Sequence, residues 1–444
     1  MELYAVFLMT AFAFGLCVCL FMQSAQTNLF SLRNVFMLVW FYYGFSAGID
    51  VLTGVEIPYT KGEPDLMDPA NWPALNFVLL NYLICGLVFL FAYNVSSTKT
   101  PRPIDHQYDV RLPGNWCLIA IHLFAGYTYI AIFLGMTRME RSNLAAISTY
   151  YKFVSLLVPI VLILDIVIMT TSGNEKKSRL AALLMLPLAL VTGHRTYVLF
   201  VFLIAAFRWR PRIGARTLVA ATACGLFVFI GKTAYGIGLS WFQGETVSLA
   251  MFYEYSQLSL SDLDAGASCW IAMFYTQEPS PLWLGYSYVQ LPIDITWPRF
   301  LGGSSVSTLA ESYVWRYHVD FASRGGGLAF SAIAEAWLNF GYLGAVFLGA
   351  FWGTAARYFD SRQRDIPFYI FLLIIVRLFR SDFATLYKNW VLVWGSMFFV
   401  VMVGLIVYTV LADAKNPQRL QRLGIATPSN PQSNAPRSRK ERAA

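Results

Sequence analysis

The sequence predicts an all-α polytopic integral membrane protein with about eleven transmembrane helices and one large extracytoplasmic loop. Of the 444 residues, 57% are hydrophobic and only 13% are charged, whereas soluble proteins have about 25% charged residues. The mean hydropathy is +0.53. So little polar surface excludes a soluble multidomain enzyme, and the 16% aromatic content excludes intrinsic disorder.

Apolar segments recur along most of the chain. A helix needs about 20 mostly apolar residues to cross about 30 Å of hydrocarbon. The predicted spans are 3–22, 34–51, 73–95, 115–135, 153–171, 179–193, 195–207, 216–235, 328–356, 366–381 and 386–411. The pair 179–207 is short but has basic residues on both flanks, so we expect two short helices that meet at residues 193–195. Pro187 and Gly193 are expected to break them.

The positions of Lys and Arg predict the orientation, because cytoplasmic loops carry an excess of both. Most of the 33 basic residues fall in the C-terminal tail and in five connections that alternate correctly with the spans. We therefore expect an outside N-terminus and a cytoplasmic C-terminus. The predicted organisation is one transmembrane domain, 1–411, which includes an extracytoplasmic loop at 236–327. A disordered basic tail, 412–444, follows and is expected to contact anionic membrane lipid.

The predicted outer loop at 236–327 is too long to be a mere connection, and loops of this length usually carry function. It contains twelve Trp and Tyr residues. Aromatic rings with a polar edge suit stacking against sugars, and they suit the membrane–water interface equally well. Composition alone therefore leaves both roles open for these residues.

Several kinds of chemistry have no support in the sequence. The six cysteines form no CxxC pair and no Cys/His cluster, so we predict no disulfide framework, no metal site and no cofactor. There is no phosphate-binding loop, no zinc-protease helix and no hydrolase elbow. The net charge of +8 arises largely from residues that set orientation, so it gives no reason to expect a nucleic-acid partner.

Arginines on the predicted outer side are the main candidates for substrate binding. Arg299, Arg316 and Arg324 lie in the outer loop, and Arg195 lies at the predicted helix break. Arginine stays charged and forms two parallel hydrogen bonds to phosphate oxygens, so converging arginines would suit a lipid pyrophosphate. The alternative is that each arginine pairs with a nearby acid, such as Glu311 or Asp320, or extends to lipid headgroups.

Candidate acids and bases are few. His318 in the loop and His194 beside Arg195 have side chains that exchange protons near neutral pH. Glu335 lies a few residues into the span at 328–356, where a carboxylate is costly unless it is paired, most simply with an arginine. Each of these residues is a candidate for function and, equally, for a structural role.

Three motifs carry a family resemblance. Thr192-Gly193-His194-Arg195-Thr196 occupies the helix break, and Leu291-Pro-Ile-Asp-Ile-Thr-Trp-Pro298-Arg299 ends in a Pro-Arg pair. Residues 327–344 contain Ser331, Glu335, Asn339-Phe-Gly341 and Gly344. Together they resemble the motifs of the O-antigen polymerase (Wzy) family of oligosaccharide repeat-unit polymerases. Where many relatives have Lys-Pro, this chain has Gly302-Gly303-Ser304-Ser305, which leaves Arg316 or Arg324 to supply that basic contact.

The resemblance implies a glycosyltransferase of the bacterial inner membrane that acts at its periplasmic face. Its substrates would be undecaprenyl-pyrophosphate-linked oligosaccharides, its product a surface polysaccharide, its catalysis independent of metal, and its partner a chain-length regulator. Arg195 and Arg299 would then hold the pyrophosphate with help from Arg324, Arg316 and His194. The catalytic group for the acceptor hydroxyl would be Glu335 or His318.

Two other functions remain open. An O-antigen ligase, or another transferase using lipid-linked sugars, has the same hydropathy and a similar loop. A transporter or flippase belongs to a different class, and it would show internal repeat symmetry and several charged mid-span positions. The sequence has no detectable repeat, and its interior charges, such as Asp165 and Arg377, are sparse.

Overall fold

The computed structural model of the protein describes most of the predicted spans and part of the predicted outer loop. The described residues are 2–27, 29–54, 68–96, 112–133, 148–172, 174–191, 195–209, 237–238, 241, 248, 263–277, 282–296, 307–317, 319, 330–362 and 366–413. Regular secondary structure within these ranges is helical, and they contain no strand. The predicted all-α class is therefore confirmed.

Fifteen α-helices are described, and we number them in chain order. They are α1 (Glu2–Thr27), α2 (Leu32–Thr53), α3 (Trp72–Val95), α4 (Asn115–Phe133), α5 (Thr149–Thr171), α6 (Glu175–Val191), α7 (Arg195–Trp209), α8 (Leu263–Gln277), α9 (Tyr286–Thr296), α10 (Leu309–Tyr317), α11 (Ala332–Phe340), α12 (Gly344–Asp360), α13 (Ile366–Arg377), α14 (Phe383–Leu386) and α15 (Trp394–Asp413). A π-helical segment, Tyr387–Val393, joins α14 to α15.

The observed helices cover ten of the eleven predicted spans, with the span at 328–356 divided between α11 and α12, and the span at 216–235 lies outside the described residues. Among the described helices, six segments are long and apolar enough to cross a membrane, and two shorter helices are also apolar. The protein is therefore a multi-pass membrane protein. The expectation about Pro187 was wrong, because α6 continues past it to Val191. Proline is tolerated in membrane helices, where local adjustments and neighbouring groups satisfy the freed backbone.

The two ends of the bundle are each defined by side-chain contacts between different spans. At one end, Asp360 at the end of α12 accepts the N–H of Leu32 at 2.9 Å and the hydroxyl of Tyr93 at 2.7 Å. At the other end, the amide of Asn76 in α3 donates to the carboxylate of Glu2 at 2.6 Å. These contacts place the start of α2 and the ends of α3 and α12 at one end of the bundle, and the starts of α1 and α3 at the other. The predicted alternation of the spans requires this grouping. Which end faces the cytoplasm stays a prediction.

Helices α3 and α12 pack most extensively, and small residues make this possible. A Cβ added at Gly349 would collide with the carbonyl oxygen of Cys85, and one at Gly353 with that of Phe89. Gly-x-x-x-Gly is the spacing that lets membrane helices bring their backbones together. The sequence therefore provides a flat face on α12, and the α2–α3–α12 unit also packs against α1, α8, α11 and α13.

Helices α4 to α7 pack with one another and form a second group, with α15 packed against α5. Apolar side chains of α5 and α15, among them Val167 and Val401, form their own small core. Inside this group His122 of α4 and Asp165 of α5 approach to 2.7 Å, and both side chains are buried. This pair ties two apolar helices together through polar atoms.

Candidate functional site

The structure gives side-chain positions for only two of the seven predicted site residues, Glu335 and Arg316. Arg195 is the first residue of α7, and its backbone alone is described. The others, His194, Arg299, His318 and Arg324, lie outside the described residues. The convergence of the arginines therefore stays a prediction, whereas the surroundings of Glu335 can be examined in detail.

Helix α8 belongs to the predicted outer loop, yet it packs against the middle of the α2–α3 pair. The hydroxyl of Ser268 donates to the carbonyl of Phe379 at 2.6 Å and lies 2.8 Å from the hydroxyl of Tyr82. Tyr82 lies about 15 Å along α3 from Trp72, at about 1.5 Å per residue. This stretch of the loop is therefore an internal element of the helix bundle.

The predicted span at 328–356 is a hairpin of two helices. Gly341 ends α11 with a φ of 57°, a conformation that favours glycine. After a short 3₁₀ turn, α12 begins at Gly344, where a Cβ would collide with the carbonyl oxygen of Ala336. At the start of α11, the hydroxyl of Ser331 caps the N–H of Ala334 at 3.3 Å. Glycine and serine at these positions therefore set where the chain turns.

The segment before α9 hydrogen-bonds to the end of α11. The N–H of Trp283 donates to the carbonyl of Leu338 at 2.9 Å, and that of Leu284 donates to the carbonyl of Asn339 at 3.0 Å. The last carbonyls of a helix have no partner within the helix. They therefore bind an incoming chain here, which fixes α9 next to the hairpin.

Glu335 is the centre of a buried polar network that joins three separate segments. Its Oε1 accepts the hydroxyl of Ser287 in α9 at 2.5 Å, and its Oε2 accepts the N–H of Phe383 at 2.6 Å. The amide of Asn339 donates to the Ser287 hydroxyl oxygen at 2.7 Å and to the carbonyl of Glu335 at 2.8 Å. A carboxylate at the first N–H groups of a helix is favoured by their partial positive charge.

Both carboxylate oxygens of Glu335 are thus occupied, and the residue is only 1% exposed. The expected arginine partner is replaced by a hydroxyl and a backbone N–H within the described part of the chain. Such an arrangement suits the positioning of α9, α11 and α14 relative to one another. Glu335 as a proton acceptor for substrate stays a prediction that this geometry does not support.

The network contains residues that sequence reasoning did not single out. Asn339 lies within the quoted motif at 327–344, so its position was visible although no role was given to it. Ser287 and Phe383 are each 48 residues from Glu335, and no local pattern connects them. Asp382, in the short gap between the last two predicted spans, is fully buried beside this network. The sequence signal for Asp382 was its position as a lone acid between two apolar segments.

Helix α10 is attached to the π-helical segment by an ion pair. The ammonium of Lys388 donates to Oε1 of Glu311 at 2.8 Å, and Oε2 accepts the N–H of Thr308 at 3.0 Å. Burial by itself raises the pKa of Glu311, but the Lys388 and Thr308 contacts outweigh it and lower the pKa below its ordinary 4.5. The guanidinium of Arg316 lies 5.1 Å from the centre of the Tyr317 ring, and the ion pair described for Glu311 is with Lys388.

Some of the loop aromatics are packed and others are exposed. Tyr275, Tyr313 and Tyr317 form a ring cluster with Phe274 and Phe330, with centroid separations of 4.7 to 6.3 Å. These rings serve the packing of α8 against α10. Trp315, in contrast, is 56% exposed on the surface of α10. It is the better candidate for contact with a sugar or with the membrane interface.

No cluster of three or more metal-binding side chains is present among the residues that the structure describes.

Residues 266–410, about a third of the chain, match the model of a family described as O-antigen polysaccharide polymerase Wzy. The match includes Ser287, Glu335, Asn339 and the turn at Phe383, together with two of the three motifs that carried the sequence resemblance. The resemblance is therefore confirmed, while the motif at 192–196 lies outside the match. No curated protein and no solved structure matches the chain.

Proposed function

We propose, from the match of residues 266–410 to the O-antigen polysaccharide polymerase Wzy family, that the protein joins lipid-linked oligosaccharide repeat units into a surface polysaccharide. The donor would be an undecaprenyl-pyrophosphate-linked oligosaccharide, and transfer would occur at the periplasmic face of the bacterial inner membrane. The product would be an O-antigen, a capsule or an exopolysaccharide. The family match is the observation that carries this proposal.

The chemistry needs a stabilised leaving group. As the anomeric carbon is transferred, the bond to the pyrophosphate breaks and negative charge develops on the phosphate oxygens. Arg195, Arg299 and Arg324 would bind these oxygens, assisted by Arg316 and His194, and guanidinium groups can do so without a cation. Arg316 is exposed on α10, so its guanidinium is accessible to an anion, which supports this role for that residue.

The acceptor needs an oriented hydroxyl. Glu335 or His318 was predicted to accept its proton. With both oxygens of Glu335 bound by Ser287 and Phe383, we infer that Glu335 positions the surrounding helices. The fixed arrangement of α9, α11 and α14 is then the rigid support that a transferase site requires.

A deletion strain with plasmid complementation tests the function. Loss of a polymerase leaves single repeat units on the surface or on the lipid carrier, whereas loss of a ligase leaves long polymer on the carrier. A flippase would instead leave single units on the cytoplasmic side. Long polymer on the carrier or cytoplasmic single units would therefore contradict the proposal.

The arginine contribution is tested in the same strain. Arg195→Ala and Arg195→Lys should both lose long polymer, because lysine cannot provide two parallel hydrogen bonds. Arg179→Ala is the matched control, since the Arg179 side chain is 69% exposed and, among the described residues, its ion pair is with Glu175 of its own helix at 3.4 Å. If both Arg195 variants make full-length polymer at normal protein levels, the pyrophosphate role of this residue is wrong.

The orientation and the partners are also part of the proposal. We expect the N-terminus outside, the C-terminus in the cytoplasm and a chain-length regulator as partner. Single cysteines placed at Leu284 and Val289, whose side chains are 79% and 62% exposed, should react with a membrane-impermeant reagent from outside intact cells. Protection at both positions would contradict a periplasmic site.

A further inference from the structure

Two arginines from different helices lie against one tyrosine ring, at the end of the bundle where α2 begins and α12 ends. The guanidinium carbon of Arg33 lies 5.8 Å from the centre of the Tyr93 ring, and that of Arg357 lies 5.4 Å from it. Arg33 also donates to the hydroxyl of Ser24 at 2.6 Å, and Arg357 also interacts with the hydroxyl of Tyr93. Helices α2, α3 and α12 therefore hold two cations close together.

A third arginine, Arg362, follows the end of α12 in the chain. Its guanidinium carbon lies 4.3 Å from the centre of the Tyr358 ring, and all three arginines are partly exposed. Asp360, the acid at the end of α12, already accepts a backbone N–H and a tyrosine hydroxyl. One carboxylate cannot neutralise three guanidinium groups, so this group of four residues carries a net positive charge.

The way in which these arginines are held leaves N–H groups for an anion. A guanidinium over the face of a ring is attracted by the ring, and this contact consumes none of the N–H groups in the guanidinium plane. A carboxylate partner would instead take two of them. Arg33 donates to Ser24 and Asn34 and retains further N–H groups. The guanidinium groups are therefore fixed in position and still able to donate to an anion.

The surface of α12 beside these arginines faces lipid. Phe347, Phe351 and Tyr358 are 52%, 58% and 43% exposed, and their spacing places them on one face of the helix. Helix α12 is the second part of Ala332–Asp360, a segment that is long and apolar enough to cross a membrane. Tyr358, the ring nearest the end of α12, is the one that Arg362 covers. A lipid whose acyl chains lie along this aromatic strip would therefore have its headgroup at the arginines.

The chemistry of this end of the bundle fits a phosphate at the membrane surface. Arginine binds phosphate oxygens through two parallel hydrogen bonds, and basic pockets between membrane helices bind anionic headgroups. We propose that Arg33, Arg357 and Arg362 form a site for the phosphate of an anionic phospholipid, with its acyl chains against α12. The predicted orientation places this site in the cytoplasmic leaflet. It lies about 24 Å along α12 from the hairpin that contains Gly341, at about 1.5 Å per residue, so it does not depend on the proposed polymerase function.

Lipid titration of the purified full-length protein tests the site. In a nonionic detergent, native mass spectrometry counts the bound molecules of phosphatidylglycerol, which is anionic, or of phosphatidylcholine, which is zwitterionic. The wild type should retain phosphatidylglycerol in preference to phosphatidylcholine. Arg33→Gln and Arg357→Gln should each weaken the tightest phosphatidylglycerol binding about fivefold. Arg357→Lys keeps the charge and should weaken it less than Arg357→Gln does.

A further variant, Ser24→Ala, separates binding from structure. It removes the hydroxyl to which Arg33 donates and leaves the cation in place, so it should weaken phosphatidylglycerol binding less than Arg33→Gln. Equal losses in these two variants would overturn the role of Arg33 in binding. Inorganic phosphate, added at the concentration of the lipid, should not displace phosphatidylglycerol from the wild type. Displacement would show that the site takes a soluble phosphate and would overturn the lipid proposal.

Arg179→Gln separates a specific site from general attraction to a basic surface. The Arg179 side chain is 69% exposed. It lies at the same end of the bundle, because Phe207 and Arg208 at the end of α7 contact the residues before α2 and the end of α5, respectively. This variant should bind phosphatidylglycerol like the wild type. An equal loss in Arg179→Gln, or unchanged binding in the double variant Arg33→Gln/Arg357→Gln, would overturn the site.

Discussion

Two buried acids, in different parts of the bundle, are stabilised in different ways. Glu335 of α11 receives two hydrogen bonds from separate segments, and neither donor is titratable. Asp165 of α5 depends on one side chain, with Oδ2 lying 2.7 Å from Nε2 of His122 and Oδ1 lacking a partner in the described structure. Glu335 therefore organises several helices, whereas the stability of the Asp165 carboxylate depends on a single neighbour.

The hydrogen bonds of His122 define the charge of that pair. Its Nδ1 lies 2.8 Å from the carbonyl of Leu118, which can only accept, so Nδ1 carries a hydrogen. Nε2 and Asp165 then share one further proton, and the pair is neutral overall wherever that proton lies. A neutral pair is what an apolar helix interface tolerates. The pair therefore joins α4 to α5 without burying net charge.

The largest expected loss of stability follows from the removal of His122, the partner of Asp165. His122→Ala leaves Asp165 buried without its neighbour, which should destabilise the protein by about 3–5 kcal/mol. Thermal unfolding of the detergent-solubilised protein measures the change. The double variant His122→Leu/Asp165→Leu replaces the pair by apolar groups and should recover most of the stability. A single variant that melts like the wild type would show that the pair is dispensable.

A conservative change at Glu335 should lower the free energy of unfolding less than His122→Ala does, because the hydrogen-bond donors to Glu335 come from two separate segments. Glu335→Gln retains an oxygen for the Phe383 N–H, so we expect a loss of about 1 kcal/mol, whereas Glu335→Ala should lose about 2–3 kcal/mol. Thermal unfolding again provides the measurement. A positioning role also predicts that Glu335→Gln elongates polymer within about tenfold of the wild type. A much greater loss of activity in a stable Glu335→Gln protein would restore Glu335 as the catalytic acid or base.

Removal of the Ser287 hydroxyl tests one contact of the network. Ser287→Ala deletes the donor to Glu335 Oε1 and the acceptor for the Asn339 amide, so we expect about 1–2 kcal/mol of destabilisation. Ser361→Ala is a matched control, since that exposed hydroxyl donates to the nearby carbonyl of Tyr358 and takes no part in the network around Glu335 within the described residues. If the two variants have equal melting temperatures, the network contributes little to stability.

The same contrast explains what the sequence could predict. The spans were predictable because lipid requires long apolar segments, and ten of them coincide with helices. Helix α8 was assigned to the outer loop because its 15 residues are too few for a membrane span, yet it packs against α2, α3 and α11. Long apolar length is unnecessary for an element buried among other helices.

The candidate site was predictable only in part, for a similar reason. Glu335 stood out because a carboxylate is rare inside an apolar segment, and this sign is local. Its partners were not predictable, because Ser287 and Phe383 approach it through the hairpin at Gly341 and the docking of α9. Pairings over such sequence distances depend on tertiary structure, which single-sequence patterns do not contain.

The smallest expected effect on stability comes from the partly exposed ion pair between Glu311 and Lys388. The contrast between Glu335 and Asp165 therefore applies to buried acids only. The lowered pKa of Glu311 means that the folded state favours the carboxylate, so the contact stabilises the protein above pH 4.5. That contribution is lost as the pH falls through the folded-state pKa of Glu311. Glu311→Gln should therefore melt slightly below the wild type at pH 7, by no more than about 1 kcal/mol because solvent screens the pair. The difference between the two melting temperatures should shrink steadily as the pH is lowered below 4.5. A difference that does not change as the pH is lowered would show that Glu311 acts through packing rather than charge.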